Sequence, residues 1–135
     1  MAEPAVFVDT DGDNGGLLLV QDAQLTQMGT IQSLSFYVVT AEGQLRLALY
    51  DAKGTNGNPR NLLAQTAPFV PVVGWNIKVV ITPANLPIGN YWLAYNPSSG
   101  GLNFPVERDH GTCKIARLSI GTAMPATFPT ITRTD

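Results

Sequence analysis

The sequence predicts an all-β protein, an antiparallel β-sandwich of jelly-roll type with eight or nine strands and almost no helix. Three observations predict it. Charged residues make up only 13% of the chain, while 13 glycines and 10 prolines punctuate it, which is the composition of a turn-rich β protein. Apolar residues recur at period two in short runs bounded by turn formers. No stretch longer than two turns carries a helical period. A barrel is the main alternative architecture. The 135 residues fit one domain, 1–135, large enough to bury roughly two-thirds of the unfolded surface without a disulfide or metal.

In chain order, residues 5–8 predict a short strand running into the acidic turn 9–16. Residues 17–20 and 25–28 read as two strands separated by Gln21 and Asp22. In 31–40, Leu34, Phe36 and Val38 form the core set and Tyr37 points outward. In 45–51, Leu45, Leu47 and Leu49 face inward, leaving Arg46, Ala48 and Tyr50 outside. The Gly/Asn/Pro-rich run 53–61 is a surface loop, and 62–66 resumes an extended path.

Residues 74–96 form the spine of the chain, two strands and the crossing between them. Trp75, Ile77, Val79 and Ile81 alternate with Asn76, Lys78, Val80 and Thr82, so the first set is expected to face the core until Pro83 ends the run. Pro87 and Gly89 mark the return into 91–95, where Tyr91, Leu93 and Tyr95 inward leave Trp92 and Ala94 outward. A long loop is expected over 96–111, a strand over 113–120, and a terminal segment ending at 130–133.

The totals exclude several classes of function. A net charge of −2 with no Lys/Arg cluster gives nothing to neutralise a row of phosphates, so neither nucleic acid nor a membrane surface is an expected partner. No run approaches 18 apolar residues. Cys113 is the single cysteine, which rules out an intrachain disulfide and a CxxC zinc site and suggests a small buried hydrophobe. The first four residues have neither a basic nor an apolar leader region, and low charge with many Thr, Asn, Gly and Pro suits an extracellular module without its signal peptide.

Several motifs together resemble a recurring accessory module of large secreted bacterial and archaeal proteins. They are Leu34-Ser-Phe-Tyr-Val38, Leu45-Arg-Leu-Ala-Leu-Tyr-Asp51, Gly57-Asn-Pro59, Leu62-Leu-Ala64, Gly74-Trp-Asn76 and Leu86-Pro-Ile-Gly-Asn-Tyr-Trp-Leu-Ala-Tyr95. The match spans about half the chain and rests on strands and turns rather than reactive groups. It implies a β-sandwich placed beside catalytic domains or in surface proteins, similar to carbohydrate-binding modules.

Catalytic constellations are thin. Asp109-His110 with Ser98 or Ser99 has the residue types of a triad, but adjacent residues usually point apart. Glu42 and Glu107 make a weak glycosidase pair. The chain therefore reads as no enzyme. Asp9, Asp11 and Asp13 around Gly12 have the spacing to bend oxygen ligands about one structural calcium, with a polar turn as the competing reading; no cofactor is otherwise required. Tyr37, Tyr50 and Trp92, with Arg46 beside them, would form an aromatic strip on which sugar rings stack, against burial of Trp92 in a core. Phe104, Arg108 and His110 form a second, loop-borne candidate, with Phe104 as a core plug as the alternative. The expected function is polysaccharide binding by a non-catalytic accessory module. The alternative is a structural or assembly domain of a surface, phage or oligomeric protein, in which outward aromatics mark a subunit interface and the chain forms a homo-oligomer.

Overall fold

The computed structural model describes residues 9–11, 15–106, 113–119 and 121–134, and side chains over 15–104, 114–119 and 121–132. The protein is all-β and antiparallel. Its strands are β1 (Asp9–Asp11), β2 (Leu17–Leu25), β3 (Gly29–Val38), β4 (Leu45–Asp51), β5 (Leu62–Gln65), β6 (Gly74–Leu86), β7 (Gly89–Pro97), β8 (Phe104–Val106), β9 (Cys113–Arg117) and β10 (Arg133–Thr134). A single 3-10 turn, Thr55–Gly57, is the helical content of the described residues. Asn56 in that turn has a φ of 58°, in the left-handed region that Asn tolerates better than most residues.

Six strands form one sheet in the order β10-β9-β2-β7-β4-β5, while β3 pairs with β6 and β1 with β8. Backbone bonds between Thr40 and Asn103 link the chain just after β3 to the chain just before β8. Four of the pairings are nested, β1 with β8, β2 with β7, β3 with β6 and β4 with β5.

The alternation in β4 decides both faces of the large sheet. Leu45, Leu47 and Leu49 join Leu19, Leu93, Tyr95 and Ile115 in the main core, against Leu34, Phe36 and Val38 of β3. Ala48 and Tyr50 join Leu18, Val20, Trp92, Ala94 and Ala116 on the opposite face. That face is covered in turn by Met124, Phe128 and Ile131 of the C-terminal segment. Strand β4 is thus buried along its whole length, a condition more usual in parallel sheets.

Several sequence expectations are corrected. Residues 17–25 make one strand, because Gln21 and Asp22 continue the ladder opposite Leu93 and Trp92. The expected loop 96–111 contains β8. Strand β6 runs through Pro83, which lies where the β3 ladder skips from the pair Ser33/Val79 to Ile31/Ala84, so its missing N–H leaves no rung unmade.

Candidate functional site

The ladder between β3 and β6 places Tyr37 opposite Trp75, Ser35 opposite Ile77 and Ser33 opposite Val79. Residues directly opposite in an antiparallel pair share a face. Leu34, Phe36 and Val38 commit the other face of β3 to the core, so Tyr37 points outward and Trp75 must do the same. The expectation that Trp75, Ile77, Val79 and Ile81 face the core is therefore overturned. They are 40%, 66%, 76% and 64% exposed.

The opposite face of β6 is inward because its polar members are satisfied there. Asn76 is buried; its Oδ1 accepts the Val72 N–H at 2.9 Å, and its Nδ2 donates to the carbonyls of Val72, Gly74 and Phe36. Lys78 lays its stem along the same side and holds Nζ 5.0 Å from the Phe69 ring centroid. Val80 completes the buried set. A buried amide with its bonds made costs little, whereas hydropathy counting favours the other face.

The outer face of β3–β6 is thus a row of four large apolar side chains on β6 beside Ser33, Ser35 and half-buried Tyr37 on β3. Tyr37 and Trp75 form an edge-to-face pair with centroids 5.3 Å apart. Neither strand carries a charged residue on this face, since Lys78 is the sole charge in either segment and points inward.

No family model, curated protein or solved structure matches this chain. Its chemistry is therefore read from the residues alone.

The expected strip of Tyr37, Tyr50, Trp92 and Arg46 is not assembled. Tyr50 and Trp92 are cross-strand neighbours, but both are buried under the C-terminal segment, and Tyr37 sits in the other layer. The reason is a cover drawn from residues far along the chain. Tyr50 donates its hydroxyl proton to the Pro125 carbonyl at 2.7 Å and meets Phe128 edge-on at 5.1 Å. Trp92 Nε1 donates to the Gly57 carbonyl at 2.9 Å, with Lys114 Nζ 5.8 Å above its ring. Burial pushes the Tyr50 phenol above its ordinary range, opposed by the charge of Arg46.

Arg46 is also buried, and works as a clamp rather than a sugar ligand. Nε donates to Asn96 Oδ1 at 2.8 Å, and one terminal nitrogen donates to the carbonyls of Ser119 and Thr122. Asn96 passes the bond on, donating to the carbonyls of Leu17 and Leu118. Burial lowers the guanidinium pKa from its ordinary value.

Of the second candidate set, Phe104 is a core plug between Phe36 and Tyr95, while Arg108 and His110 lie outside the described residues. Ser98 Oγ accepts the Gln44 N–H, closing a loop. Asp9 and Asp11 are backbone partners of β8, their side chains lie outside the description, and Asp13 lies outside it altogether. Among the described residues no cluster of three His, Cys, Asp or Glu could hold a metal. The side chain of Cys113 is likewise outside the description.

A shallow cavity of about 150 Å³ between β5 and β6 is lined by Leu62, Leu63, Ala64, Gln65, Ile81 and Thr82. Ordinary ligand pockets begin at about 300 Å³. What the described surface offers chemically is an uncharged, apolar face on β6 beside the serines of β3. The signal for it was present in the sequence as a conflict. Tyr37 outward and Trp75 inward are incompatible once the two are paired.

Proposed function

We propose that the chain is a non-catalytic β-sandwich module that serves in assembly, with the outer face of β3–β6 as its contact surface. The observation that carries this reading is the exposure of Trp75, Ile77, Val79 and Ile81 in one row without a charge among them. Aliphatic β-branched side chains offer no ring face for a sugar to stack on, whereas uncharged apolar centres with an aromatic residue are typical of protein interfaces. The nested pairing of β1 through β8 supports a jelly roll, because one long hairpin wound into two layers pairs its strands in that way. The resemblance to secreted accessory modules supports an extracellular setting.

A second reading, polysaccharide binding, is favoured by the Tyr37–Trp75 pair, which presents aromatic surface at one end of the row. Light scattering, run beside pull-downs on insoluble cellulose, xylan, chitin and mannan, separates the two. A species heavier than one 14.4 kDa chain, with no retention on any glycan, is the expected result. A 14.4 kDa species retained on a glycan and released by Trp75→Ala would move the conclusion to polysaccharide binding.

A further inference from the structure

We infer that the occupant of this face is a second copy of the same chain, related by a two-fold axis parallel to β3 and β6; the inference rests on the assembly reading above. A two-fold contact sets a patch against itself, so a charge on it is buried twice and needs an opposite charge on the same patch to meet. This face has no charge, because the only charged side chain of either strand, Lys78, is directed at Phe69 on the inner side.

The relief of the face is also self-complementary. Strand β6 forms a ridge of Ile77 and Val79, and β3 forms a shallow row of Ser33 and Ser35 beside it. Rotation about an axis parallel to the strands lays each β6 ridge over the β3 row of the other copy. Ile77 then lies over Ser35 of the second copy, Val79 over Ser33 and Trp75 over Tyr37. Two sheet faces stacked in this way at about 10 Å make the ordinary sandwich contact.

The area suits a dimer. At the exposures above, the four β6 residues present on the order of 500 Å² of largely apolar surface, against the roughly 800 Å² that each partner of a standard interface buries. A dimer of this size dissociates on dilution, so its mass depends on concentration.

Sedimentation velocity over a concentration series tests the inference with the full chain. The wild type is expected to pass from monomer to dimer, and Ile77→Lys to raise the dissociation constant by about 30-fold or more. Ile88→Lys, at an equally exposed apolar residue outside the row, is expected to dimerise like the wild type. Mixing Ile77→Lys with Ser35→Glu is expected to give a heterodimer at least about tenfold tighter than either variant alone, because the new charges meet across the axis.

A mixture no tighter than its components, or a trimer or ring, would overturn the two-fold arrangement while leaving assembly in place. A wild type that stays monomeric would overturn the second copy as occupant. An apolar dye that then binds the wild type and not Ile77→Lys would leave the face as a contact surface for another partner. A dimer indifferent to Ile77→Lys would overturn both readings.

Discussion

Trp75 stands edge-on to Tyr37 across the β3–β6 ladder, with ring centroids 5.3 Å apart and planes at 83°, while Trp75 remains 40% exposed. A pair in this geometry contributes about 0.5–1.5 kcal/mol beyond its buried area, so the rings hold one another in place without a cover. The face they terminate is preformed, which spares a partner the cost of ordering it.

The orientation of β6 is checked by placing a lysine on either side of it. In dilute protein, Ile77→Lys or Val79→Lys is expected to change unfolding free energy by less than about 0.5 kcal/mol, as surface substitutions do. Val80→Lys puts a charge where the native side chain is 6% exposed and is expected to cost more than about 3 kcal/mol. Urea titration reads both. The opposite order would mean that β6 buries its other face.

Arg46 holds the C-terminal segment over the large sheet through the Ser119 and Thr122 carbonyls and braces Asn96. Arg46→Met is expected to cost about 2–4 kcal/mol, because three acceptors lose their donor in a dry site. Arg46→Lys is expected to recover less than half of the loss, since one ammonium cannot span the forked arrangement. Unfolding curves measure this, and Trp92 emission should shift to the red as its cover loosens.

Tyr50 couples the same segment to pH. Its folded pKa is raised, so its contribution is complete below the ordinary tyrosine value of about 10 and is lost as pH rises through that value toward the folded one. The melting temperature of the wild type is expected to fall above about pH 10 more steeply than that of Tyr50→Phe. Equal slopes would contradict the buried phenol.

Asp51 works at the acid end. Burial acts to raise its carboxyl, but donors from Asn61 and Lys53 outweigh burial and hold it below the ordinary value. Its contribution is therefore present above the ordinary carboxylate value of about 3.9 and lost as pH falls through the folded value. Asp51→Asn is expected to flatten the acid limb of a stability profile, measured by melting between neutral pH and pH 2.

The strand alternation in β4 and β3 was legible, because Leu45, Leu47 and Leu49, and Leu34, Phe36 and Val38, sit at period two with one polarity to choose. In β6 the same rule failed. Both faces there contain apolar residues, and the decision fell to Asn76, whose four bonds to backbone around residues 72–76 and Phe36 are tertiary facts. Tyr50 and Trp92 point away from the main core as their strand period requires, yet that face is covered by Met124, Phe128 and Ile131, whose spacing carries no strand period to announce a lid. What the sequence could supply was a consistency test. Tyr37 and Trp75 must share a face if their strands pair in register.

Trp75, at one end of the β6 row, reports directly on burial of that row against another copy. Trp92→Phe leaves Trp75 as the sole tryptophan of the chain. Iodide quenching of its emission, measured over a concentration series, is predicted to fall as the dimer forms and to stay high throughout when Ile77→Lys is added. Quenching that is the same at every concentration, with or without Ile77→Lys, would contradict the account.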